Sequence, residues 1–387
     1  MEQTEVLSIG RDMLYLVSCA LHGRIPEKKY LDKMNFAKVY KMAKFHSMQS
    51  IVYICLAKCR KEYGDDLVDA ETFAKFSGDY QATMRKLVMF DVEREALCNL
   101  ISDGGWYLCL KGVVLQHYYH TLGMRQMTDN DILVDEGSFE KIRDYLVSKG
   151  YSVESFGKGC HDTYCRGPMT FEIHRKLFSE MAKTRLGSDY YKNVSKMLIN
   201  GERKGERLFS DDDFYVYFLY HAYKHYVVAG CGVRTLADIF VYCTGNKKLN
   251  WEYINKQLDL LAISGYEKHS KRLAFALFDP DVTPDTEIDT DLQEMLLYYV
   301  TSGTFGTTSK LIENNVADVA KGNELTNAVK IRYLLGRVFP PMSYYREFYP
   351  KLARWIIPIP FLWVKRLFRG FGKSKTIAEE VNKVKDM

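Results

Sequence analysis

The sequence lacks any Cys-x-x-Cys pair. Its nine cysteines are scattered along 387 residues, with Cys55 and Cys59 standing one helical turn apart. That excludes the ligand spacing of a structural zinc site, and unpaired thiols suit a reducing cytosol. The first residues, Met1 to Gly10, carry Glu2 and Glu5 and no basic segment leading into an apolar run, so no signal peptide is expected. No apolar run is long enough for a clear transmembrane helix, and a cytoplasmic location is expected. Charge of one sign is scarce: the net charge is only +5. This excess suits an anionic ligand without arguing for nucleic acid. There is no internal repeat and no low-complexity tract. What is there is an ordinary globular balance, 47% hydrophobic and 27% charged, with a high aromatic share of 14% that is mostly Tyr and Phe. The chain is long enough for two or three modules and at least one sizeable core.

Residues 1–103 read as helical. Ile9, Met13, Leu16, Val17, Ala20 and Leu21 mark one buried helix face, with Gly23 as its stop signal. Asn35 can cap a second helix carrying Val39, Met42 and Ala43. Leu87, Phe90, Leu97 and Ile101 mark a third, ending at Asp103. The pattern then changes. Trp106 to Leu110 and Asp129 to Asp135 read as strands, with a helix from Gly112 to Leu122 between them. Phe139 to Lys149 is an amphipathic helix stopped by Gly150. Tyr151 to Ser155, Thr163 to Arg166 and Thr170 to His174 read as three short strands punctuated by Gly157, Gly159, Gly167 and Pro168. From Asp211 the chain is helical again: Phe214, Tyr217, Phe218, His221, Ala222 and His225 share a face, with Asp211 or Asp212 as the cap. Val233 to Cys243 and Leu292 to Val300 are further helices. The result is an α+β module over 104–185, a helical region over 186–336 and an aromatic, basic tail over 337–387.

The sharpest local feature is Thr128-Asp129-Asn130-Asp131-Ile132-Leu133-Val134. Side chains alternate along a strand, so Asp129 and Asp131 point the same way. Two carboxylates side by side repel unless a cation neutralises them. Magnesium, which prefers hard oxygen ligands and keeps positions open for phosphates, is the natural one. A bare Asp-x-Asp is also what a solvated strand start looks like, so its surroundings matter. Upstream, Leu110-Lys111-Gly112 joins a strand to a helix. Glycine lets backbone approach a phosphate, and Lys111 adds a positive charge. Arg125 either holds a phosphate or bridges to Asp129. Downstream, Glu172 and His174 share a face opposite Phe171 and Ile173, as a third carboxylate of a metal site or as the exposed face of an edge strand. His221 and His225, four residues apart, are metal ligands or core histidines. Arg234 and Asp238 have the spacing of a helix ion pair.

In this order the elements resemble the nucleotidyltransferase superfamily typified by DNA polymerase beta. They resemble more closely a bacterial family of uncharacterised nucleotidyltransferases. The carrying residues are Leu110-Lys111-Gly112, Arg125 with Asp129-Asn130-Asp131-Ile132-Leu133-Val134, and Glu172-Ile173-His174. Leu219-Tyr220-His221, Lys224-His225 and Gly232-Val233-Arg234-Thr235-Leu236-Ala237-Asp238 extend the likeness over about residues 35–245. The resemblance implies an α+β fold, a mixed sheet flanked by helices, with helical N- and C-terminal regions. It implies an NTP lying between the start of the Gly112 helix and the carboxylates, and transfer of a nucleoside monophosphate to an unknown acceptor, whether small molecule, protein or RNA. Asp129, Asp131 and Glu172 would be the catalytic and metal-binding residues, with two magnesium ions. Lys111, Gly112, Arg125, His174, Lys224 and Arg234 would contact the nucleotide. One departure stands out: Lys111-Gly112 occupies the place where the superfamily usually has Gly-Ser, so a hydroxyl contact to phosphate is lost. The second reading is therefore a non-catalytic binding module that kept the fold, at a membrane surface or in cell-envelope assembly.

The tail supports either of two readings. Trp355, Phe361, Trp363 and Phe368 alternate with Lys365, Arg366 and Arg369, and Pro358 and Pro360 break any spanning helix. Such a segment lies on an anionic bilayer at the inner face of the membrane, or packs on the helical region. Membrane attachment predicts salt-sensitive co-sedimentation with anionic vesicles that disappears when residues 351–375 are removed. No sedimentation at low salt would leave the packed reading.

Overall fold

A computed structural model describes residues 3–245, 248–349, 363 and 380–384. The tail reading therefore falls almost wholly outside the described residues. Among those described, no helix is long and apolar enough to cross a membrane.

The first helix runs Gln3–Leu21 and buries Ile9, Met13, Leu16, Val17 and Ala20. Gly23 follows at φ 67°, a left-handed stop that glycine takes without steric cost. Asn35 caps Phe36–Phe45 by accepting from the Lys38 backbone N–H at 3.0 Å. A helix at Gln49–Tyr63 has no clear apolar stripe in the sequence, yet it buries Ile51, Val52, Cys55, Leu56 and Cys59 between its neighbours. The Ala70–Ser102 helix starts well before the Leu87 to Ile101 stripe, capped by Asp69, which accepts from Thr72 N–H. Its first half packs on the N-terminal helices and its second half on the sheet.

The sheet has five strands: β1 Tyr107–Cys109, β2 Asn130–Val134, β3 Ser152–Ser155, β4 His161–Arg166 and β5 Met169–His174. Their order is β1-β2-β5-β4-β3. All neighbours are antiparallel except β2 and β5, which run parallel with Asp131 opposite Glu172 and Leu133 opposite His174. Alternation sorts the two faces. Ile132, Val134, Phe171 and Ile173 pack with Phe139 and Ile142 of the Phe139–Ser148 helix. Leu108, Leu110 and Leu133 turn the other way and join a core built from both helical regions. Asp131, Glu172 and His174 lie on this second face.

Three local expectations need correction. The helix after β1 covers only Lys111–Leu115, followed by a tight turn at Gln116–Tyr118, instead of reaching Leu122. Leaving the helix lets Tyr118 pack on the Tyr242 ring and Tyr119 donate its hydroxyl to Asp238. β4 starts at His161, two residues before Thr163. Ser210, not Asp211 or Asp212, caps the Asp211–Val228 helix, its hydroxyl accepting from Asp213 N–H.

A buried ion pair ties the two parts together. Arg125, on the segment leading into β2, donates from Nε and Nη2 to both carboxylate oxygens of Asp238 at 2.8 and 3.0 Å. Asp238 belongs to the Arg234–Gly245 helix, and Tyr119 donates to it at 2.9 Å. Removing one partner of such a pair leaves an uncompensated buried charge. We expect Arg125→Met to lower stability by about 3–5 kcal/mol, and Arg125→Met/Asp238→Leu to regain much of it, both read from urea unfolding midpoints.

Candidate active site: a carboxylate cluster in a cationic cleft

The second sheet face and the Asp211–Val228 and Arg234–Gly245 helices enclose a cleft of about 630 Å³. That is the size range of small-molecule sites. All nine residues singled out in the sequence line it: Lys111, Gly112, Arg125, Asp129, Asp131, Glu172, His174, Lys224 and Arg234.

β2 begins at Asn130, so Asp129 stands just ahead of the strand. It still joins Asp131 and Glu172 in a cluster in which one carboxylate oxygen from each lies within 4.8 Å of the other two. Parallel pairing accounts for Glu172, which sits directly opposite Asp131 on the same face. The three differ in electrostatic state. Burial opposes ionisation of Asp131, but Lys111 and His174 outweigh it and hold its carboxyl well below the usual range. Lys111 Nζ lies 3.0 Å from Oδ2, and His174 Nε2 lies 3.2 Å from Oδ1. Burial and then the Asp131 charge push Asp129 up. Burial, Asp131 and Asp129 together raise Glu172 to about 8. The cluster thus combines one firmly ionised carboxylate with two that resist ionisation, and a hard divalent cation would relieve both.

Cations surround the cluster. Lys224 is lowered to about 8 by burial and by Lys111. Arg234 Nη1 donates to the Gln126 carbonyl at 3.1 Å, and burial with the nearby Arg125 lowers its pKa. The expected ion pair between Arg234 and Asp238 does not form, because Arg125 takes both oxygens of Asp238. For the same reason Arg125 does not bridge to Asp129. Arg234 is left facing the cleft. A Cβ on Gly112 would stand 3.2 Å from Arg125 Nη1 and 3.4 Å from Met127 Cε, so glycine here makes room for the Arg125 guanidinium. His221 and His225 approach through their Nε2 atoms at 3.2 Å. Burial, with Lys111 beside His221 and Lys224 beside His225, holds both rings neutral.

Sequence reasoning missed His161. It opens β4, sits opposite His174 in register, and places Nε2 3.6 Å from Glu172 Oε2. Burial and then His174 lower it to about 4. The signal was the alternation His161, Thr163, Cys165 extended back by two residues.

One titration follows. Glu172 is raised from 4.5 to about 8, so between those values the folded chain keeps a proton that the unfolded chain gives up. The Glu172 contribution to the stability of the metal-free protein is therefore expected to fall as pH rises through that window, while the neutral rings of His161, His221 and His225 contribute in the opposite sense below about 6.5. Glu172→Gln should flatten that part of the slope in thermal unfolding from pH 5 to 8. An unchanged slope would refute the burial of an ionisable Glu172.

Beyond this geometry, the model of a family described as uncharacterised nucleotidyltransferase matches residues 32–279, more than half of the chain. No curated protein and no solved structure matches the chain at the significance applied.

Proposed function

The chain belongs to this family of uncharacterised nucleotidyltransferases, and we propose that its carboxylate cluster transfers a nucleoside monophosphate from an NTP to a hydroxyl-bearing acceptor. The observation that carries the proposal is the convergence of Asp129, Asp131 and Glu172 within 4.8 Å in a cleft lined by Lys111, Lys224 and Arg234. Carboxylates set against cations in one cleft suit a bound metal–triphosphate: the carboxylates would take the metal and the cations the phosphate oxygens.

The oxygen-only donor set of Asp129, Asp131 and Glu172 fits magnesium, and these are the residues that would hold two ions. Such ions, when bound, neutralise the triphosphate and acidify an acceptor hydroxyl. Lys224 and Arg234 would hold the phosphates in place by charge. An acceptor hydroxyl oxygen attacks the α-phosphorus, the bond to the bridging oxygen breaks, and pyrophosphate leaves. Glu172 would either ligate the second ion or take up the hydroxyl proton, its carboxylate being ionised once a cation offsets the charges of Asp131 and Asp129 that now oppose it. Small molecules, proteins and RNA all carry such a hydroxyl, and the chemistry of the cluster is common to them. Attachment to an anionic membrane through the tail is a separate proposal, tested by the vesicle experiment above.

One observation favours a non-catalytic module: the Lys111 amine rests on Asp131 at 3.0 Å, where a cation would bind. A single experiment decides between the two. The protein is incubated with each α-labelled NTP and Mg²⁺, and self-labelling, acceptor labelling and pyrophosphate are measured. Asp129→Asn should lower transfer by about a hundredfold or more, since even partners one step out from a metal cost up to that much. Asp129 is already pushed toward its neutral form, so this variant should keep or raise the metal-free melting temperature. Pyrophosphate release equal to wild type would refute the metal site. No release from the wild type with any NTP and any acceptor pool would favour the module.

A further inference from the structure

The head of β5 holds more metal-ligating side chains than the carboxylate cluster uses. His161 and His174 stand opposite each other across β4 and β5, with ring centres 4.9 Å apart. Glu172, two residues before His174 and on the same face, places Oε2 3.6 Å from His161 Nε2 and 3.7 Å from His174 Nε2. Ligand atoms of these three residues all lie within 4.8 Å of one another. Glu172 is therefore common to two overlapping triads: one of oxygens with Asp129 and Asp131, the other with two imidazoles.

The second triad is not explained by hydrogen bonding. Separations of 3.6 and 3.7 Å are too long for that. They are close to the roughly 3.3–3.4 Å edge that bonds of about 2.05 Å give a tetrahedral ion. His174 is 7% exposed, and the Nε2 that faces Glu172 is the nitrogen that now rests on Asp131 at 3.2 Å, so an ion here takes that nitrogen in exchange for the Asp131 contact.

We infer that His161, Glu172 and His174 form a second divalent-metal position, sharing Glu172 with the first and selecting an ion of the zinc or cobalt class over magnesium. Imidazole nitrogens suit such ions, whereas magnesium prefers an all-oxygen shell. The inference deepens the proposed function by naming a different metal class beside the carboxylate site, and it rests on that reading only through the shared Glu172. Cys160, Ser155 and Lys158 line the cleft next to His161. The position thus lies toward β3 and β4.

The metal titration needs no nucleotide. Metal-free full-length protein is titrated with Co²⁺ in excess Mg²⁺, and the visible ligand-field bands are followed. The wild type should develop bands that Mg²⁺ does not remove and Zn²⁺ bleaches. His161→Gln should weaken Co²⁺ binding by about tenfold or more. Its side chain is 35% exposed, so the variant is expected to melt like the wild type without metal. Protein labelled with ¹⁵N-histidine provides a reading that needs no variant: Co²⁺ should shift two imidazole signals strongly. Asp129→Asn should keep the bands while losing nucleotidyl transfer, which separates this position from the carboxylate site. Wild-type bands in His161→Gln, removal of the bands by Mg²⁺, or no shifted imidazole signals would each overturn the inference.

Discussion

Everything in the cleft follows from the parallel pairing of β2 and β5. Opposed positions in a parallel pair share a face, so the register Asp131 to Glu172 forces two carboxylates together. Asp129, immediately before β2, adds a third. Like charges at such range destabilise one another, most of all in a half-buried cleft. The fold answers with Lys111 at the end of β1 and His174 one alternation beyond Glu172, both in contact with Asp131. Asp131 becomes the stable anion, and the cost of crowding passes to Asp129 and Glu172.

The cations divide into two uses. Arg125 is consumed by Asp238, to which Tyr119 also donates, deep in the structure, joining the sheet module to the helical region. Arg234, one turn before Asp238 on the same helix, is thereby spared. Lys224 pays a desolvation cost that its neighbours do not fully return. A dianionic or more highly charged ligand would recover that cost. On the proposed function, such a cleft would suit an anion carrying its own divalent cation better than a neutral ligand.

Much of this was legible in the sequence because local rules and the global fold agree there. The stripe from Ile9 to Ala20, the Asn35 cap and the alternation of Ile132, Val134, Phe171 and Ile173 each follow one period and one buried face. The acidic residues were legible because their spacing put them on one face. What was not legible depends on tertiary partners. Arg125 finds Asp238 113 residues away, a choice that the i, i+4 spacing of Arg234 and Asp238 conceals. The Gln49–Tyr63 helix is enclosed by its neighbours and shows little amphipathic rhythm. His161 escaped notice because a glycine-rich turn precedes it and strand boundaries blur at such turns. Its importance comes from the cross-strand partner, which no single segment reveals.

Lys111 shows how the departure from Gly-Ser can be physically coherent. Without a metal, its ammonium neutralises Asp131 at 3.0 Å, the place a divalent ion would take. Two cations cannot share that oxygen without strong repulsion, so on the proposed function an ion held by Asp131 would displace the lysine. Lys111 begins the short Lys111–Leu115 helix that forms part of the cleft wall, so its amine would remain near a triphosphate bound with that ion. One residue would thus serve as counter-ion to the carboxylates and as phosphate contact. A serine hydroxyl offers only the second of these functions, since it carries no charge to offset the carboxylates before the metal arrives.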